Sequence, residues 1–157
     1  MTPNPSCGTC ALCCKLPRVV EINKPQGRWC EHCRPGQNGA CSIFDRPERP
    51  TICGEYLCVW RMTDLPAELR PDRCGFIINS SASDKKLVAI MVDPNRPEAW
   101  RRGPGKLLID KLTREGMRVL IMCGDKRKLL TGAHDPVTIR FGAAAPHPAL
   151  RGNNLGD

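Results

Sequence analysis

The chain has 157 residues, enough for one domain or two small ones. No run approaches the roughly 18 apolar residues that a membrane span needs, so no membrane span is expected. The formal charge of +8 invites a nucleic-acid reading. That reading weakens once cysteines are counted as thiolates.

The chain opens on Met1-Thr2-Pro3-Asn4-Pro5-Ser6, which has neither a basic stretch nor an apolar one of the secretory kind. A cytoplasmic location is expected, where thiols stay reduced and cysteine clusters bind metal. Nine of the eleven cysteines fall between Cys7 and Trp60: Cys7, Cys10, Cys13, Cys14, Cys30, Cys33, Cys41, Cys53 and Cys58. So many thiols are either metal ligands or disulfide partners. Residues 1–62 carry eight Lys/Arg and five Asp/Glu, a surplus of +3. Nine thiolates holding three divalent ions would cancel it. The other +5 lies in residues 63–157 and reads as a solvated surface.

Turn formers separate the cysteines: Pro17, Pro25, Gly27, Pro35, Gly36, Gly39, Pro47, Pro50 and Gly54. Only Leu16–Ile22 and Cys58–Met62 have the makings of short regular elements. A segment so poor in apolar side chains cannot offset its chain entropy by burial. A structural zinc contributes on the order of 10 kcal/mol to folding, which makes metal the natural staple.

The sub-motifs carry unequal weight. Cys30-x2-Cys33 alone shares its spacing with redox dithiols, but those want a strand–helix context, and this pair lies in a Gly/Pro-rich loop. Cys7, Cys10 and Cys13 match the start of a ferredoxin-type run, yet Cys14 follows directly and the closing Cys-Pro is missing. Adjacent Cys13 and Cys14 do not easily share one tetrahedral ion. They can serve two neighbouring ions. Two separate four-thiolate sites would leave one cysteine spare, whereas a three-metal cluster would use all nine.

The run Cys7-Gly8-Thr9-Cys10-Ala11-Leu12-Cys13-Cys14, followed by Lys24-Pro25-x-Gly27-x-Trp29-Cys30-x-His32-Cys33, resembles the CxxCxxCC cysteine-cluster family (YkgJ-type, described as zinc- or iron-chelating proteins). The likeness continues through Cys41-Ser42-Ile43-Phe44, Arg49-Pro50-x-x-Cys53 and Tyr56-x-Cys58-x-Trp60. It covers about the first two-fifths of the chain. Phe44 stands where tyrosine is usual, and Arg46-Pro47 competes with Arg49-Pro50 for one position of the pattern. The resemblance implies metal binding and no settled activity.

Zinc suits an all-cysteine set in loops and is the expected metal. An iron–sulfur cluster uses the same ligands and is the alternative. Copper and disulfides complete the choices. His32 is expected to tune the site from outside the ligand set rather than to bind. Trp29, Tyr56 and Trp60 are expected to roof it, and Lys24 to be solvated.

Thr63–Arg73 reads as a proline-broken connector. Beyond it, Gly75–Asn79 and Leu87–Val92 suggest a hairpin. Asp93-Pro94-Asn95-Arg96-Pro97 introduces a helix whose first turns are Glu98–Arg102, broken at Gly103-Pro104-Gly105 and resumed over Lys106–Glu115. Leu108, Ile109 and Leu112 form its buried face, and Gly116 closes it. Arg118–Cys123 is a buried strand, and Lys128–Thr131 and Val137–Phe141 complete a sheet. Cys123 is expected to be an inert core residue and Cys74 a non-ligand. Gly103-x-Gly105-Lys106 lacks the length and the Ser/Thr of a phosphate loop. His134-Asp135 and His147 have no catalytic company.

The expected class is therefore α+β. A loop-rich cysteine domain (1–62) precedes a small α+β domain (63–142), a mainly antiparallel sheet with one covering helix. A flexible tail (143–157) follows. The expected function is metal binding, with two or three zinc ions held for structure, buffering or delivery. An iron–sulfur protein in electron transfer or protein modification is the alternative. An interaction module docking RNA or an acidic partner through the basic second half is a third. With no catalytic constellation visible, the expectation leans to a non-enzymatic protein whose partners are metal ions and an unidentified protein rather than nucleic acid.

Overall fold

The computed structural model describes residues 6–132 and the strand backbone at 137–140. The second half is built on a five-stranded sheet in the order β1-β2-β3-β4-β5. Its strands are β1 (Phe76–Ser80), β2 (Leu87–Val92), β3 (Arg118–Cys123), β4 (Lys126–Leu130) and β5 (Val137–Arg140). β1 and β2 pair antiparallel, with Ile78 opposite Ile90. β3, β4 and β5 also pair antiparallel. The central pair β2–β3 is parallel, with Ile90 beside Ile121. A parallel pair needs a crossover, and a helix between these two strands provides it.

Among the described residues the sheet is accompanied by α1 (Thr51–Glu55), α2 (Val59–Met62), α3 (Pro71–Cys74) and α4 (Gly103–Arg114). Only α4 is long, and it is the expected covering helix. Its start differs from expectation, because Gly103-Pro104-Gly105 is the first turn and not a break. Proline has no N–H to lose, and the first turn of a helix leaves its N–H groups unpaired in any case. Glu98–Arg102 is not its beginning: Ala99–Arg101 forms a separate 3-10 turn that buries Trp100, and Arg102 is extended. Gly105 has no side chain for a specific reason. A Cβ there would lie 2.8 Å from the ring of Phe76. Ile109 is buried, Leu108 and Leu112 are partly so, and Gly116 closes the helix with φ +80°.

β-Branched and aliphatic runs make the core. Phe76, Ile77, Ile90, Val92 and Val119 are essentially inaccessible. Leu12, Leu16, Cys58 and Trp60 of the cysteine-rich segment belong to the same cluster of buried residues, together with Leu69. Part of that segment's apolar surface is therefore buried in the core of the sheet, while Ala11, Val19, Ala40 and Ile43 are buried outside that cluster.

Between residues 6 and 58 regular structure is sparse. There are single 3-10 turns at Leu12–Cys14 and Val20–Ile22, and isolated bridges join Val19 to Lys24 and Cys33 to Cys41. The connector 63–73 contains another 3-10 turn, Ala67–Leu69, and runs into α3. Among the described residues no helix is long and apolar enough to cross a membrane. The expected tail, His134-Asp135, His147 and the Phe141 end of the last strand lie outside the described residues.

Candidate functional site

Two C-x2-C turns shape the loops that carry the thiols. The Cys10 N–H donates to the Cys7 carbonyl at 2.8 Å, and the Cys33 N–H to the Cys30 carbonyl at 3.0 Å. The Cys30 N–H reaches back to the Cys14 carbonyl at 2.9 Å and ties the two turns together. Ser42 N–H donates to the His32 carbonyl at 2.8 Å, which brings the Cys41 strand alongside Cys33. Backbone N–H groups also point at sulfur: those of Leu12 and Asp72 at Cys10, that of His32 at Cys30, and those of Trp60 and Arg61 at Cys58. An N–H directed at sulfur favours the thiolate, the form that binds metal.

By their electrostatic influence on one another the nine cysteines sort into two neighbouring sets. Cys7, Cys10, Cys13 and Cys58 interact in the first: Cys10 and Cys58 both feel Cys7, and Cys13 feels Cys7 and Cys10. Cys14, Cys30, Cys33, Cys41 and Cys53 interact in the second, since Cys33 and Cys53 each feel Cys14, Cys30 and Cys41. The sets join at the adjacent pair, where the Cys13 thiol hydrogen-bonds to Cys14. Among the described residues no three His, Cys, Asp or Glu side chains are placed to hold one metal ion together. The thiols are neighbours, not a closed coordination sphere.

Electrostatics single out Cys14. The hydrogen bond from Cys13 lowers its pKa to about 6; the Cys33 thiol, Lys24 and Arg49 add to this, and burial opposes it. Cys13 is pushed the other way by the same hydrogen bond. Burial raises Cys10 and Cys53 to about 11 and Cys33 to about 12, with the charge on Cys14 adding to the rise at Cys33 and Cys53. Burial also raises Cys30 and Cys58. One thiolate among protonated neighbours is the expected state of crowded thiols, because each ionisation disfavours the next.

Cations surround these sulfurs, and they were the part of the site that sequence reading missed. Lys24 is buried, not solvated. Its ammonium donates to the carbonyls of Lys15 at 2.8 Å and Pro25 at 3.1 Å, and to that of Pro17. Burial lowers its pKa, while charge on Cys30, Cys14, Cys53 and Cys13 opposes the fall. Arg61 Nη1 donates to Cys7 Sγ at 3.0 Å. Arg49 bonds the carbonyls of Phe44 (3.2 Å) and Cys53 (2.8 Å), and its guanidinium lies 4.0 Å from the Phe44 ring centre. Of the two Arg-Pro pairs, Arg49 is thus the one at the thiols, and Arg46 is exposed. The Nε atoms of both Arg49 and Arg61 are buried without a hydrogen-bond partner. The available signal was a set of basic residues interleaved with cysteines and few acids.

The three aromatics expected to roof the site differ in placement. Trp60 lies in the hydrophobic core with Nε1 donating to the Pro66 carbonyl at 3.1 Å, and Trp29 is 42% exposed. Tyr56 does neighbour Cys58 and Cys13, and its hydroxyl donates to Asn79 Oδ1 on β1. The His32 ring lies 3.6 Å from the Glu31 carboxylate. Cys74 is buried with its sulfur 3.3–3.4 Å from the Phe76 and Leu69 carbonyls, and Cys123 is half-buried at the end of β3.

Comparison with known proteins adds a partial likeness. A stretch of 53 residues, 30% of the chain, is 36% identical to a UPF0153 protein of Pseudomonas aeruginosa. UPF0153 is the YkgJ-type cysteine-cluster family. The likeness is short. The chain spans 61% of that relative's length. No family model matches the chain, and no solved structure matches it. The cysteine content and this relative together point to a cysteine-cluster, metal-binding type of protein.

As a donor set the residues fit a thiophilic metal. The donors are sulfur, carried on short turns whose N–H groups face them, with Lys24, Arg49 and Arg61 close by to balance thiolate charge.

Proposed function

We propose that this chain holds two or three zinc ions through the thiolates of Cys7, Cys10, Cys13, Cys14, Cys30, Cys33, Cys41, Cys53 and Cys58. What supports the reading is the folding of the thiol loops on each other, with the Cys30 N–H on the Cys14 carbonyl at 2.9 Å and a bridge between Cys33 and Cys41, together with the electrostatic sorting of the nine into sets of four and five. Drawn together around metal, one set would serve one ion, the other set a second, and a sulfur at the junction would bridge. Sulfur-only donors at tetrahedral number favour zinc over harder ions. The metal replaces the apolar core that the first 62 residues lack, and a reducing, cytoplasmic setting keeps the ligands available. The role is structural, with buffering or delivery of metal as its extension. Protein partners are to be sought through the surface that the cluster shapes.

Elemental analysis with an absorption spectrum, on protein purified without oxygen, tests the proposal. Colourless protein with two or three zinc per chain supports it. Brown protein with iron and acid-labile sulfide replaces zinc by an iron–sulfur cluster on the same ligands. Metal-free protein with paired disulfides overturns both.

A further inference from the structure

Two arginine N–H groups are buried with nothing to donate to, and both belong to side chains at the thiols. Arg61 Nη1 already reaches Cys7 Sγ at 3.0 Å, in the set of four, while its Nε has no partner. Arg49 lies beside the set of five and acts on Cys14 and Cys53, and its Nε is likewise buried and unpaired. An arginine does not shed its proton, so an unpaired Nε–H cannot be relieved by neutralisation. Leaving such a group buried is costly, and a sulfur gaining negative charge can act as its acceptor.

We infer that Arg61 and Arg49 are positioning residues of the metal–thiolate cluster, one for each set, supplying N–H donors and positive charge to metal-bound sulfur. The inference rests on the proposed metal–thiolate reading and goes beyond it by assigning non-ligand residues. Charge balance supports it. Nine thiolates with three divalent ions carry a net −3, which Lys24, Arg49 and Arg61 match in number. Arg49 is also the better anchored of the two. Two carbonyls and the Phe44 ring hold its guanidinium, so Phe44 serves this site as a platform. Lysine can supply the charge but not the directed Nε–H, which separates the two contributions experimentally.

The test uses the full chain purified with its metal, in Arg61→Gln, Arg61→Lys, Arg49→Gln and Arg49→Lys variants, with exposed Arg46→Gln as control. Metal per chain, the rate of metal loss to excess EDTA, and the sulfur-to-cobalt charge-transfer bands after cobalt(II) exchange are read together. At unchanged stoichiometry, the Gln variants at Arg61 and Arg49 should lose metal about 10- to 100-fold faster. Their charge-transfer bands should move to lower energy, because sulfur deprived of an N–H donor gives up its electron more readily. The Lys variants should fall between, and Arg46→Gln should match the parent. A purely structural arginine would change stability and leave the band energies alone. If Arg49→Gln does not fold, having lost two carbonyl bonds, the Arg61 pair decides. Parental release rates and band positions in the Arg61 variants, with metal present, overturn the inference while sparing the zinc proposal. A parent chain without metal overturns both.

Discussion

At the scale of single residues, Cys14 is the hinge of the site. It hydrogen-bonds with Cys13 of one set and with Cys33 of the other. Cys14→Ser is therefore expected to lower metal per chain and to destabilise the cysteine-rich segment, whereas Cys123→Ser, at the end of β3, leaves stoichiometry unchanged. Elemental analysis of the two variants checks this, and full metal content in Cys14→Ser would remove Cys14 from the ligand set. In metal-free, reduced protein Cys14 should also be the first thiol alkylated. Its folded pKa of about 6 lies below the ordinary 9, so it is largely thiolate at pH 7, while Cys10, Cys33 and Cys53 keep their protons. The sign for stability follows. A depressed folded pKa contributes fully above about pH 9, and the contribution is lost as pH falls through about 6. Peptide mapping after brief iodoacetamide treatment from pH 5 to pH 9 should show Cys14 labelling level off by about pH 7. Labelling that still climbs steeply to pH 9 would contradict the assignment. The raised thiols add a further consequence: each must give up a proton to bind metal, so metal uptake acidifies the solution and weakens as pH falls.

At the scale of elements, the first turn of α4 is fixed by a glycine–aromatic contact. Gly105→Ala would drive a methyl into the buried Phe76 ring, 2.8–2.9 Å from two of its carbons, and should cost about 1–3 kcal/mol as overpacking does. Gly54→Ala, inside α1 with open space around it and no positive φ, should instead stabilise by up to about 1 kcal/mol. Denaturant midpoints of the two variants make the comparison, and equal midpoints would contradict the packing. The same turn shows where sequence reading stops. β2 and β3 were legible because aliphatic runs of six and four residues carry their own signal, and the end of α4 was legible because Gly116 punctuates it. Gly103-Pro104-Gly105 read as a break, since the need for Gly105 comes from Phe76, 29 positions away in the chain. The parallel pairing of β2 and β3 likewise depends on where α4 returns the chain, and a mainly antiparallel sheet was the nearest reading. The cysteine motif was plain from spacing alone, but its division into two sets needs the loops folded on each other. Lys24 was misread because solvation is the usual fate of a lysine, and its three carbonyl partners come together only in the folded loop.

At the scale of the whole molecule, packing, the Tyr56–Asn79 hydrogen bond and a buried ion pair join the cysteine-rich segment to the sheet among the described residues. Leu12 and Leu16 enter the common core, and Lys15, next to Cys14, pairs with Asp93 at the end of β2 at 2.7 Å. Both side chains are nearly inaccessible, so removing one partner strands a buried charge. Asp93→Asn should destabilise the protein by roughly 3–5 kcal/mol in a thermal or urea titration. A loss under about 1 kcal/mol would mean the pair is solvated. Chelation should act unevenly across this junction. Amide hydrogen exchange should speed up at Cys30, Cys33 and Ser42, whose N–H bonds shape the thiol loops, and change little in β2 and β3. The most direct test of the thiolate cluster is X-ray absorption at the zinc edge on protein purified without oxygen. A sulfur-only shell at about 2.3 Å is expected, with about four sulfurs per zinc. A shell of nitrogen or oxygen near 2.0 Å, or no zinc above background, would contradict it.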